Sequence, residues 1–283
     1  MFGRLKTLAG PGRKGSAGRA AAMRQAEYGG DAPRNPALCH AAPAGETEWY
    51  PPVMIGAKAL ARRIVGSATY VREARALLHR LDPDAYADYV KRYYDAGLDR
   101  FGDGWGFADI VTVLMGLGDA LRPRRYLEIG VRRGRSVCAV ASRMPGVELV
   151  MFDLWIANYA GMENPGPHVV ERELDKLGHT GRRTFVDGDS HVTVPEYFRA
   201  NPDVYFDLIT VDGDHTERGA VDDLCDVLPH LTVGGAVVFD DVCHPRHMGL
   251  RDVWERVVCD DRRFSAWTYD DVGYRVGFAN RKW

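Results

Sequence analysis

No apolar stretch in this chain approaches the roughly 20 residues needed to cross a bilayer, so no spanning helix is expected. Net charge is equally spare. At −2 it offers neither nucleic acid nor an anionic membrane surface a basic field to bind. Cysteine is sparse: the five residues Cys39, Cys138, Cys225, Cys243 and Cys259 are scattered and never spaced C-x-x-C. An odd, dispersed set is neither a disulfide framework nor a zinc site, and most of these thiols are expected in the core. The N-terminus carries basic residues but no continuous apolar run that would read as a secretory signal. No internal repeat is present. These absences leave a cytoplasmic enzyme as the simplest reading.

What is there is ordinary globular material, 46% hydrophobic and 27% charged over 283 residues. That length holds one large α/β domain with a smaller appendage. Residues 1–45 are rich in Gly, Ala, Arg and Pro without an apolar period, which predicts a disordered tail. Arg4, Lys6, Arg13, Lys14, Arg19 and Arg24 would let it dock on a partner or a neighbouring subunit, leaving room for a homo-oligomer. Residues 46–104 read as a helical cap. Ile55, Ala59, Leu60, Ile64 and Val65 fall at helical spacing, and so do Val71, Ala74, Leu77, Leu78 and Leu81. Asp82-Pro83 then predicts a break, with Asp82 capping a helix whose first residue is Pro83. Tyr86, Tyr89, Val90, Tyr93 and Tyr94 share a face of that helix, read first as packing.

The main domain, 105–283, alternates strand and helix. Strands are predicted at 125–129, 148–152, 183–187, 206–211 and 235–239, with helices at 110–121, 136–143, 168–177, 194–200, 220–230 and 250–258. Such alternation implies βαβ units and a parallel sheet. Residues 264–269 and 273–278 suggest a terminal antiparallel hairpin.

Two apolar strands near the C-terminus end in carboxylates. Leu208-Ile-Thr-Val211 runs into Asp212-Gly213-Asp214-His215, and Ala236-Val-Val-Phe239 into Asp240-Asp241. Ligands of parallel sheets bind outside the carboxyl ends of the strands. If these two are neighbours, roughly 4.8 Å apart, four carboxylates and an imidazole crowd one rim. Such crowding calls for a divalent cation and a base. Oxygen ligands without cysteine point to Mg²⁺, with Mn²⁺ and Ca²⁺ as alternatives.

The other end of the sheet suggests a cofactor. Tyr126-Leu-Glu128-Ile-Gly130-Val-Arg-Arg-Gly134-Arg-Ser136 is a strand, a glycine-rich turn and a helix start. A dinucleotide site wants the closer G-x-G-x-x-G. An acidic residue before the turn suits a cationic ligand better than a pyrophosphate. The segment resembles motif I of class I S-adenosylmethionine (SAM) methyltransferases, E/D-x-G-x-x-x-G. That resemblance implies a Rossmann-like fold with a mainly parallel seven-stranded sheet. It places Glu128, Gly130, Gly134 and Ser136 against the methionine part of SAM. Asp153 with Leu154, ending the second strand, would hold the ribose, and Asp189-Ser190 would contact the adenine.

The D-G-D-H and D-D segments further resemble metal-dependent O-methyltransferases that tailor macrolide sugars and aminocoumarins, and also cephalosporin-hydroxylase-like proteins. By that resemblance Asp212, Asp240 and Asp241 hold the metal, and either Asp214 or His215 is the base. A hydroxyl needs to lose its proton before it attacks the SAM methyl, and a metal with a nearby base achieves this. His215, with a reference pKa of about 6.5, suits the role near neutrality. His244 and His247 are candidates for the pocket wall, His191 for a structural role, and Trp155 and Tyr159 for a cover over the ligands. The expected acceptor is a small secondary metabolite, a sugar or phenolic hydroxyl in antibiotic biosynthesis. Alternatives are other chemistry on the same scaffold and a nicotinamide-dependent oxidoreductase.

Overall fold

The computed structural model describes residues 55–158, 161 and 163–283. The predicted tail and Tyr159 lie outside the described residues. Among the described residues three helices come first: α1 (Ala57–Val65), α2 (Thr69–Arg80) and α3 (Ala85–Phe101), followed by α4 (Ile110–Leu121). Then strands and helices alternate: β1 (Arg125–Ile129), α5 (Arg135–Arg143), β2 (Glu148–Asp153), α6 (Pro167–Lys176), β3 (Arg183–Asp187), α7 (Ser190–Ala200), β4 (Phe206–Val211), α8 (Glu217–Val227) and β5 (Leu231–Phe239). The chain closes with α9 (Gly249–Trp254), one π turn (Glu255–Cys259), β6 (Phe264–Tyr269) and β7 (Val276–Arg281).

Among the described residues the strands form one seven-stranded sheet in the order β3-β2-β1-β4-β5-β7-β6. β1 to β5 pair in parallel, and β7 runs antiparallel between β5 and β6. This is the Rossmann-like methyltransferase topology expected from the sequence. Strand alternation builds a core on each face. Tyr126, Leu149, Met151, Leu208, Ala236 and Val238 point to the side covered by α1, α2, α4 and α5. Leu127, Ile129, Val150, Phe152, Ile209, Val211, Val237 and Phe239 point to the side of α8 and α9. Burial on both faces explains why these strands read as continuous apolar runs.

Several boundaries differ from the periodic pattern. Asp84, not Asp82, caps α3, its side chain accepting from the N–H groups of Tyr86 and Ala87. Asp82 instead pairs with Arg172 and Lys176 on α6, and its backbone N–H donates to Glu173. The helix therefore starts at Ala85, two residues after Pro83. β5 begins at Leu231 because its first half pairs beside Phe206 across a register shift. The second hairpin strand lies three residues later than expected, since Trp267 pairs with Phe278 and Tyr269 with Val276. Helix α7 starts at Ser190, where Asp189 caps it. The thiol expectation holds for buried Cys138, whereas Cys259 is exposed and Cys243 half-buried. Cys225 is disulfide-bonded, which scattered cysteine positions did not signal.

Candidate active site

Chain direction along the sheet reverses between β1 and β4: one half winds to β2 and β3, the other to β5. The crevice outside the carboxyl ends of β1 and β4 is where ligands of such sheets bind. Backbone bonds assemble its floor. The Gly130 N–H donates to the Phe152 carbonyl at 2.9 Å, that of Asp212 to Ile129 at 2.9 Å, and that of Asp240 to Val211 at 3.3 Å. Asp212 and Asp240, the first residues after β4 and β5, are therefore tied to the rim.

At the glycine-rich turn three residues take left-handed backbone: Gly130 (φ 90°), Arg132 (φ 50°) and Gly134 (φ 71°). A Cβ on Gly130 would come 1.9 Å from the Asp212 carbonyl oxygen, and one on Gly134 2.7 Å from Val170 Cγ1. The first contact joins the two halves of the site, because only glycine lets β1 and β4 exit so close together. Glu128 is wholly buried on the α5 side. It accepts short hydrogen bonds from the Tyr126 and Ser136 hydroxyls, and Tyr126 also bonds Thr210 at 2.8 Å. Burial pushes the Glu128 carboxyl up to about 8, against the pull of those two donors.

Asp153 accepts from the Arg132 N–H (2.7 Å), the Trp155 N–H (2.6 Å) and the Asn164 amide (3.2 Å). It thereby holds the glycine-rich turn to the loop after β2, in which Leu154 is exposed. Trp155 packs beside Phe185 and donates its indole N–H to Asp187 at 2.8 Å. Farther along the rim, His191 sits 2.9 Å from Asp189 and 3.7 Å from fully buried Asp223. The Ser190 hydroxyl also bonds Asp223. Burial pushes Asp223 up to about 7, and although burial opposes it, the Asp189 and Asp223 carboxylates hold His191 up to about 9.

At the β4 and β5 ends the structure brings Asp212, His215 and Asp241 together. His215 Nε2 lies 3.4 Å from Asp212 Oδ1 and 3.2 Å from Asp241 Oδ2. One donor atom from each of the three lies within 4.8 Å of the others. Asp241 adopts φ 57°, a conformation that an Asp side chain tolerates better than most. Asp240 stands outside that group of three but within its field. Burial raises its carboxyl, and Asp212 and Asp241 raise it further. Burial likewise raises Asp212, with His215 opposing. Two carboxylates and an imidazole in mutual reach are a donor set that fits a divalent cation.

Asp214 is not in this group. Its carboxylate turns back to accept from the Thr216 N–H at 2.8 Å and covers Gly219, where a Cβ would meet it at 2.2 Å. Its own N–H reaches Asp223 at 3.5 Å. On the outer side, ring centroids run from His215 to His247 (4.9 Å), to His244 (4.7 Å) and to Tyr274 (4.3 Å). Both loop histidines thus border the site as expected. Burial and the two neighbouring imidazoles push His247 down.

Residues 127–242 match the family model described as a methyltransferase domain. This part of the chain is similar to a methyltransferase domain. It carries the glycine-rich turn at one end and the Asp240-Asp241 pair at the other. No curated protein matches the chain. Solved structures resemble it at low identity. The SAH-bound methyltransferase PaMTH1 of Podospora anserina is 16% identical, covering 80% of this chain and 93% of its own, at a TM-score of 0.49. The calicheamicin methyltransferase CalS11 is 22% identical over 75% and 91%, at 0.47. The O-methyltransferase TomG from Streptomyces achromogenes is 19% identical over 71% and 91%, at 0.49.

Two groups at the site escaped the sequence reading. Asp109 caps α4 in a capping box with Thr112, accepts from Tyr94 and adds to the field on Asp240. The spacing Asp109-x-x-Thr112 was the available signal. Asp84 and Tyr86 at the start of α3 reach the glycine-rich turn, a contact that no local pattern announces.

Proposed function

We propose that the chain is a SAM-dependent O-methyltransferase that uses a divalent metal, Mg²⁺ by ligand class, to methylate a hydroxyl of a small secondary metabolite. The observation that carries this reading is the contact between Gly130 and the Asp212 backbone. It sets the turn read as the SAM site directly beside the cluster read as the metal site. In-line methyl transfer needs that adjacency, because donor and nucleophile must be held within roughly 3–3.5 Å.

In this reading the turn from Gly130 to Gly134 lies against the methionine part of SAM. Buried Glu128 with Ser136 shapes its floor, Asp153 faces the ribose, and Asp189-Ser190 border the adenine. Asp212 and Asp241 hold the metal, with Asp240 completing the acidic wall. A bound divalent ion would make the acceptor hydroxyl more acidic and fix its position. His215, flanked by Asp212 and Asp241, serves as the base at Nε2 and not as a third metal donor, and takes the hydroxyl proton. Asp214 is the weaker candidate, since its carboxylate is committed to the Thr216 N–H. The row of His247, His244 and Tyr274 gives a planar acceptor or a sugar ring a surface to lie on.

The test is calorimetric titration of the wild type, Asp212→Asn and Asp240→Asn with SAH and, separately, with Mg²⁺ and Mn²⁺. Expected are SAH binding by all three and loss of metal binding in Asp212→Asn, with Asp240→Asn weakened. Folded wild type that binds no SAH would overturn the reading.

A further inference from the structure

The glycine-rich turn carries more positive charge than a cationic cofactor would welcome. Arg132, Arg133 and Arg135 occupy three of four consecutive positions. Burial, with Arg135 adding to it, pushes the Arg132 guanidinium down to about 10. Two carboxylates face the other two: the exposed Glu163 lies 2.9 Å from an Arg133 terminal nitrogen, and Asp84 reaches both arginines. Asp84 Oδ2 lies 3.3 Å from Arg133 Nε and 3.2 Å from an Arg135 terminal nitrogen. The three side chains are only 14%, 10% and 17% exposed, so bulk water screens them poorly. The same carboxylate caps α3 through the N–H groups of Tyr86 and Ala87. The Tyr86 ring then lies 4.5 Å under the Arg135 guanidinium and 5.5 Å under that of Arg132.

The turn is poorly able to hold itself. Its left-handed residues at 130, 132 and 134 need surrounding contacts to persist. Asp153 supplies one through the Arg132 N–H. Asp84 supplies another from outside residues 127–242, the stretch that matches the methyltransferase domain. We propose that Asp84 is a positioning residue for the cofactor: by pairing with Arg133 and Arg135 it holds the glycine-rich turn in its binding shape. The proposal rests on reading that turn as the SAM site. It assigns the helical segment a part in binding the methyl donor.

Asp84→Asn retains the size and capping ability of the side chain and removes only its charge. Arg135 then loses the Asp84 charge and Arg133 retains only the exposed Glu163, which costs more than the original pairing gained. Titration with SAH should show affinity falling about tenfold, as expected when a pre-organised loop is loosened. Mn²⁺ binding at Asp212 and Asp241 should stay unchanged. Asp84→Ser, a second good cap without charge, should behave alike and serves if the first variant folds poorly. The double variant Asp84→Asn/Arg133→Met should bind SAH more tightly than Asp84→Asn alone, because the uncompensated charge is gone. A purely structural role gives no such recovery. Unchanged SAH affinity in both single variants, or additive losses in the double one, would overturn the proposal while leaving the SAM site standing. Wild type that binds no SAH would remove both together.

Discussion

The carbonyl oxygen of Asp212 occupies the space that any side chain on Gly130 would need, 1.9 Å from where its Cβ would stand. Two loops that begin 82 residues apart in the sequence are thereby fitted to each other at the centre of the sheet. Gly130→Ala should destabilise the fold by about 1–3 kcal/mol from the φ of 90° alone, with the clash adding to it. Thermal unfolding will show this as a lower midpoint. SAH and Mn²⁺ affinities should fall together, since one shift disturbs both loops.

Glu128 makes stability pH-dependent. Its carboxyl is raised from 4.5 to about 8 in the folded state, so the native protein holds a proton that the unfolded chain releases. That contribution is complete below about pH 4.5 and is lost as pH rises toward 8, at up to about 1.4 kcal/mol per unit. Glu128→Gln, which needs no proton to stay neutral, should flatten the decline measured by denaturant unfolding from pH 5 to 8. An unchanged slope would contradict the buried neutral acid.

His191 acts over a higher window. Its folded value is raised from 6.5 to about 9, so its ion pairs with Asp189 and Asp223 stabilise below pH 6.5 and weaken as pH climbs through 9. His191→Gln should be less stable than wild type at pH 6 and nearly equal to it at pH 9.5. Chemical denaturation at the two pH values measures the difference directly.

His215 and Asp214 should separate by kinetics. With an acceptor found by SAH release across a panel of sugars and phenols, His215→Asn should lower turnover about 10²–10⁴-fold and leave SAH affinity unchanged. Asp214→Asn, which keeps a side-chain oxygen for the Thr216 N–H, should retain most turnover. The reverse pattern would transfer the base to Asp214.

Metal should stabilise the wild type by mass action. Mn²⁺ at 100 times its dissociation constant contributes about 2.7 kcal/mol, visible as a raised unfolding midpoint that a chelator abolishes. In Asp212→Asn the midpoint should not respond.

Much of the fold was legible because sheet strands buried on both faces write themselves as apolar runs. Arg125–Ile129 and Phe206–Val211 match their predicted bounds for that reason. The strand-end carboxylates were legible too, since an Asp closing an apolar run has little choice but the rim. Direction of the side chains was not. Asp214 and His215 are neighbours in sequence, yet a turn onto Thr216 takes one away while the other meets Asp241. Asp153, expected to face a ribose, also holds three backbone and amide donors. Asp84 reaches Arg133 and Arg135 across about fifty positions, and Asp82, beside Pro83, was read as the cap in its place. Local patterns report a residue's own element, whereas these contacts depend on how elements dock.

The helices before residue 105 share one apolar core with the sheet: Leu60, Ile64, Leu78 and Tyr94 belong to the same cluster as Tyr126, Met151 and Phe278. Ala57 N–H also donates to Ser265 Oγ on β6 at 3.2 Å. Any exchange of this segment for another, as a way to change what is methylated, would therefore expose the interior of the sheet. These helices are therefore part of the foldable unit and not a detachable cover, so sequence change is easier to accommodate in the loops after β2 and β5 than in the helices that share this core.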